Sequence, residues 1–343
     1  MSDEGKRANK MEKSQVTIVG LGQIGSSIGM AIKRKQSKEV EITGIDTDPE
    51  IAARARNRDA IDKISYNLQE AVSNASMVIL AVPMNAMRDV MGLMAPALRD
   101  HAIVTDTGST KAEILLWASE VLPNEVNFVG GHPMAGNEIP GIDGAEETLF
   151  DGATYCVIPS PTAHPDAVRG ITELVEFVGA TPYFIDADEH DGLVAAISHL
   201  PIAISITLMN MARNAQSWQE MAKLAAGSFR DVSRLASGDP EMHGGIFATN
   251  SQETVRWIDT YIEELTVLRD NIEKRDDAAL SSTLKNAQTA RKQWMSGKLE
   301  SANDAVVEEM DENLKFSSQM EFMFLGSKAA RIIRELRRPK KRK

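Results

Sequence analysis

The run Gly20-Leu21-Gly22-Gln23-Ile24-Gly25 constrains this chain more than any other feature. It fits the pattern G-x-G-x-x-G, follows the β-branched stretch 16–19 and opens a helical pattern over 26–35. Strand, glycine turn and helix in that order begin a βαβ unit. Gly20 permits the tight turn, Gly22 lets backbone N–H groups approach a pyrophosphate, and Gly25 lets the helix pack close to the strand. The helix N-terminus adds partial positive charge. Strand and helix patterns then alternate. Residues 41–45 read as a second strand closing on Asp46, and 77–82 as a continuous apolar strand stopped by Pro83. Residues 103–105, 127–129, 154–158 and 182–185 read as further strands. Unbroken apolar runs suit strands covered on both faces. The alternation predicts an α/β domain built on a parallel, doubly wound sheet.

After Asp186 the strand signals stop. Helical spacing takes over, as in Trp257, Tyr261, Leu265 and Leu268. The expected organisation is a disordered segment at 1–14 and a dinucleotide-binding (Rossmann) domain at 15–186. An all-α domain for substrate binding and dimerisation follows at 187–300, then a helical extension with a basic tail at 301–343. Residues 192–212 are apolar and about as long as a bilayer crossing. Ser198, His199 and Pro201 interrupt them, and the expectation is a buried core helix, not a membrane span.

Asp46 ends the second strand, 21 residues after Gly25. A carboxylate there accepts the ribose hydroxyls of NAD and repels the 2′-phosphate of NADP. Thr47 and Asp48 follow, with no arginine to receive that phosphate, so the expected cofactor is NAD. Leu21, Gln23 and Ile24 belong to the same loop, and Val82-Pro83 is expected to line the cofactor. The net charge of -11 argues against nucleic acid as a partner. A single cysteine, Cys156, excludes a disulfide scaffold and any multi-cysteine metal site, and no metal is expected. The first 14 residues carry no secretory pattern, which points to the cytoplasm.

Ligands of an open α/β sheet bind outside the carboxyl ends of its strands. Two polar motifs fall there. Asp106-Thr107-Gly108-Ser109-Thr110-Lys111 ends one strand and begins a helix, where the Ser109 hydroxyl reads as that helix's N-cap, as a group facing the ligand, or as both. Gly130-Gly131-His132-Pro133-Met134-Ala135-Gly136 ends the next. A histidine between a glycine pair and a proline, at the functional edge, is poorly explained by core packing.

These motifs, with His190-Asp191, Ser198-His199-Leu200-Pro201, the run 229–236 and Asp239-Pro240, resemble the prephenate/arogenate dehydrogenase family of tyrosine biosynthesis. The resemblance runs from about residue 15 to 275. It implies NAD-dependent oxidative decarboxylation: a hydride leaves C4 of a cyclohexadienyl ring, carbon dioxide departs and an aromatic product forms. It makes His132 the histidine that hydrogen-bonds the C4 hydroxyl, and Ser109 the serine touching the same hydroxyl. A neutral imidazole suits that work, because the hydroxyl proton needs an acceptor as the carbonyl forms. The substrate is a dianion entering an acidic protein, so local positive charge must offset the repulsion. Arg230 and Arg234 are four residues apart and would share one helical face. By resemblance Arg234 binds substrate, with Arg230 as a second basic residue, and His190, Ser198 and His199 face the ligand.

Two positions depart from the family pattern. Ile202 ends a run that often reads His-Leu-Pro-His, and His243 stands where a tryptophan is usual. The choice between prephenate, a keto acid, and arogenate, an amino acid, stays open, as does feedback inhibition by tyrosine. A β-hydroxyacid dehydrogenase would also join such domains, but leaves Gly-His-Pro-Met-Ala-Gly and the arginine pair unexplained. An NAD-binding redox sensor has no need of a base beside the nicotinamide. A homodimer is expected, with the helical domain intertwined.

Overall fold

The structure, a computed structural model, describes residues 13–35, 40–137 and 139–297. The expected N-terminal segment is almost entirely outside the described residues, and the extension at 301–343 wholly so. Eight strands form one sheet: β1 (Ser14–Val19), β2 (Val40–Ile45), β3 (Lys63–Ile64), β4 (Met77–Leu80), β5 (Ile103–Asp106), β6 (Asn127–Pro133), β7 (Thr154–Pro159) and β8 (Thr181–Phe184). Their order is β3-β2-β1-β4-β5-β6-β7-β8. The chain steps outward from β1 in one direction, then from β4 in the other. The crevice between β1 and β4 is where such a sheet receives ligands.

Every pairing is parallel except β6 with β7. That reverses the expectation of a parallel strand there. Parallel neighbours need a crossover, usually a helix. Among the described residues, the chain between β6 and β7 holds only a short 3-10 turn, Gly141–Gly144, so it returns antiparallel. This return loop is held to the first helix, Gln23–Arg34, and to Arg58 at the end of helix Pro49–Asn57. Gln23 Nε2 donates to Ile139 O (2.9 Å), Ser27 Oγ accepts from Glu146 N–H (3.0 Å) and Arg58 donates to Ala145 O (2.7 Å).

Val78, Ile79 and Leu80 of β4 are fully buried, as a central strand covered on both faces requires. Below it packs the helix Met84–Met94, whose Met84, Met87, Met91 and Met94 point into one apolar cluster with Val19, Val104, Ile114 and Phe128. The spacing of three and four residues puts all four thioethers on one stripe.

From Ala187 the described chain is helical. Ala187–Val194 leads through a π-helical turn, Ala195–His199, into Leu200–Arg213. Pro201 offers no N–H to the helical ladder, and the irregular turn ends two residues before it, at His199. The expectation of a buried core helix is corrected: only 28% of its most apolar window is covered within the chain. Leu193, Ile197 and Met211 are exposed. By packing, the chain divides into two compact units, at Thr254 and Val255. The described part of the second unit consists of the rest of helix Ser251–Lys274 and helix Asp277–Met295.

Candidate active site

The glycine loop is built for close approach. Gly20 has φ +91°, and a Cβ there would collide with the carbonyl of Ala81. A Cβ on Gly25 would strike Gly20 O, whereas beside Gly22 the space is open. Gly22 is the N-cap of the first helix and no side chain caps it, so the backbone N–H groups remain for a ligand. Asp46 follows β2. Its carboxylate accepts the N–H of Leu21 (2.8 Å) and of Asp48 (3.0 Å), which fixes it beside the loop. Val82 lies against Gly20, and Pro83 is the N-cap of helix Met84–Met94. A dinucleotide fits this cradle: a turn no side chain could occupy, an uncapped helix N-terminus and a fixed carboxylate.

His132 lies inside β6, not in a loop beyond it, and pairs in register with Cys156 of β7. Its Nδ1 is 2.9 Å from Nε2 of His190. Nδ1 of His190 is 2.7 Å from Oδ1 of Asp191. Asp191 in turn accepts the backbone N–H of Lys111 (2.8 Å) and Ala112 (2.9 Å), the first turn of helix Ala112–Val121. Asp191 therefore caps this helix from another element; its N-cap is Lys111, and Ser109, one of whose two readings is the N-cap, stands two residues before that.

The order of protons follows from the carboxylate, which only accepts. His190 donates through Nδ1, its Nε2 accepts the Nδ1–H of His132, and the lone pair of His132 is left on Nε2. Burial holds the His132 imidazole well below its usual pKa, with His190, Lys111 and His199 adding in the same direction. It is a neutral base with a free nitrogen.

Beneath it lies an ion pair that sequence reading left without a role. Lys111 and Asp106 are wholly buried and in contact. Lys111 Nζ also donates to Gly131 O (2.7 Å), and Asp106 accepts the N–H of Gly108 (2.8 Å) and Gly131 (3.1 Å). The pair thus holds the residue preceding His132. Burial lowers the ammonium pKa, and Asp106 and Asp191 oppose that. The spacing Asp106 to Lys111 was visible in the motif, but lysine at a helix start reads as a surface charge.

His199 is buried beside this cluster, and Ser198 is half-buried in the same turn. Arg230 is the middle residue of helix Gly227–Ser233, and Arg234 opens the 3-10 turn Arg234–Ser237. They stand exposed on consecutive turns, not on the single helix expected. Their segment is fastened to helix Leu200–Arg213 by Ala236 N–H to Ser205 Oγ (2.9 Å). No hydrogen bond joins Arg230 to the histidines. His243 is buried. Among the described residues no cluster could hold a metal ion.

Sheet, glycine cradle and buried base together define a nucleotide-binding dehydrogenase. The nucleotide-binding domain of prephenate dehydrogenase matches residues 28–183, and its dimerisation domain matches 186–286. The chain is 33% identical to prephenate dehydrogenase of Bacillus subtilis over 81% of this chain and 76% of that one. It is 34% identical to cyclohexadienyl dehydrogenase of Zymomonas mobilis, over 80% and 94%. The crystal structure of Aquifex aeolicus prephenate dehydrogenase with hydroxyphenyl propionate and NAD+ superposes with TM-score 0.77 at 26% identity, covering 83% of this chain and 99% of that one. The chain belongs to the prephenate dehydrogenase family of oxidoreductases, of which the Aquifex aeolicus member is solved with NAD+.

Proposed function

We propose that this chain catalyses the NAD-dependent oxidative decarboxylation of prephenate to 4-hydroxyphenylpyruvate. The observation that carries the reading is the buried chain His132–His190–Asp191. When bound, NAD supplies the hydride acceptor. His132 Nε2 takes the proton of the C4 hydroxyl as the carbonyl forms. The positive charge that develops on His132 is met through His190 by a carboxylate fixed on two backbone N–H groups. Asp191 needs no proton for this, since it orients His190 and offsets charge. Ser109 steadies the same hydroxyl, and Ser198 and His199 line the ring. Gly20, Leu21, Gly22, Gln23, Ile24, Gly25, Asp46, Val82 and Pro83 hold the dinucleotide. The direct test follows NADH absorbance with prephenate and with arogenate in parallel. Turnover of arogenate alone, or of neither, overturns the reading.

Arg234, with Arg230, meets the substrate carboxylates. Guanidinium groups clamp carboxylates through paired hydrogen bonds. Arg234→Ala is expected to raise the KM for prephenate more than about tenfold with a smaller change in kcat. An unchanged KM removes Arg234 from the site.

Asp46 sets cofactor choice. The expected kcat/KM with NAD exceeds that with NADP by more than about tenfold, because a fixed carboxylate faces the 2′ position. Equal efficiencies would show that Asp46 does not face it.

The protein acts as a homodimer in the cytoplasm. Support for the dimer comes from the dimerisation-domain match and the exposed apolar residues Leu193, Ile197 and Met211.

A further inference from the structure

Asn250 ends helix Pro240–Thr249 and is buried. Its Nδ2 donates to the backbone carbonyl of Asp191 (2.8 Å). A carbonyl only accepts, so this contact settles which end of the amide faces the histidines. The same Nδ2 lies 3.2 Å from Nδ1 of His199. An amide nitrogen only donates, so His199 Nδ1 must be the acceptor and the ring proton must sit on Nε2. His199 is fully buried, yet its Nε2 has no hydrogen-bond partner among the described residues. A buried donor without an acceptor is costly, and native structures rarely keep one without a use.

We propose that Asn250 is a positioning residue that locks His199 as a neutral Nε2–H donor, and that this N–H binds an acceptor oxygen of the ring substrate. The second half rests on the reading of the chain as a prephenate dehydrogenase. The two buried histidines then do opposite work. His132 presents a lone pair to the hydroxyl it deprotonates. His199 presents a hydrogen to an oxygen that stays unprotonated. Burial lowers the His199 pKa to about 4, so the ring stays neutral, and its tautomer alone decides what it offers.

The test reads the tautomer directly. The full chain is labelled with 15N-histidine, and the His199 signals are those lost in His199→Gln. The expected result is a protonated Nε2 and an unprotonated Nδ1, with the Nε2 signal shifting when 3-(4-hydroxyphenyl)propionate is added to the NAD-saturated protein. Kinetics supply the second arm. Asn250→Leu frees the ring to take either tautomer. It is expected to raise the KM for prephenate about tenfold, with the KM for NAD and kcat changed less than about threefold. His199→Gln, which retains an N–H, is expected to keep the KM for prephenate closer to normal than His199→Phe does. An unprotonated Nε2, or a Nε2 signal indifferent to the ring ligand, overturns the proposal, as does a rise in both KM values together. Should Asn250→Leu fail to fold, the labelled unaltered chain still decides. Absence of prephenate turnover in the unaltered chain would refute the functional reading alone, leaving the tautomer measurement to judge the lock.

Discussion

His132→Asn is expected to lower kcat for prephenate by about 100- to 10,000-fold, the usual worth of a positioned general base. Affinity for NAD, read by titration of the intrinsic fluorescence, stays as it was, because His132 is on β6 and the dinucleotide cradle is built at β1, β2 and β4. Asparagine keeps a polar side chain facing His190, so the strand can hold its place. What it lacks is a nitrogen lone pair able to take a proton. The pH profile adds a sign. The base works only unprotonated, and burial together with His190, Lys111 and His199 pushes its pKa below the ordinary imidazole value. The acid limb of kcat therefore lies below pH 6.5, the usual midpoint of a free imidazole. In His132→Asn that limb disappears along with the rate. A variant that turns over at nearly the normal rate would remove His132 from the chemistry.

Lys111→Met is expected to destabilise the protein by about 3–5 kcal/mol, the cost of stranding one charge of a buried pair. In a domain of this size that moves the thermal midpoint by on the order of 10 °C, as measured by circular dichroism. The stranded group is Asp106, which would be left accepting only the backbone N–H groups of Gly108 and Gly131. Asp106→Leu with Lys111→Met recovers only part of the loss, because those two N–H groups then lose their acceptor. In whatever fraction stays folded, losing the ammonium relieves one cause of the depressed His132 pKa, and the acid limb of kcat moves up. A midpoint shift of a degree or two would mean that the pair is replaceable by apolar packing alone.

The parts of the site that rest on contiguous residues were legible from the sequence. The glycine cradle, Asp46 and the histidine at the end of a strand are each set by spacing within one turn or one strand end. What escaped depends on long-range meetings. His190 reaches His132 across 58 residues, and Asp191 caps a helix that begins 79 residues before it. Helix-cap rules look for a serine or aspartate immediately upstream, where Ser109 offers itself, and a carboxylate 79 residues away leaves no such signal. Strand direction was missed at β7 for a related reason. The residues of a strand look alike whichever way it runs, and only a segment without a crossover helix betrays the reversal. Lys111 was hidden by its own chemistry, since lysine is rarely buried and nothing local announces Asp106 and Gly131 O as its partners. Asn250 carries no local signal at all: its importance appears only when the two groups on its amide nitrogen are seen together.

The sulfur stripe of helix Met84–Met94 has a consequence for survival under peroxide. All four thioethers are shut away beneath the sheet. An oxidant meets them only when the domain opens, and a sulfoxide formed then is too polar to return to that slab. Damage to this stripe would therefore fall on molecules already unfolded and keep them so, whereas exposed methionines such as Met211 and Met295 react in the folded protein; sulfoxide at the four buried positions alone measures how often the nucleotide-binding half comes apart.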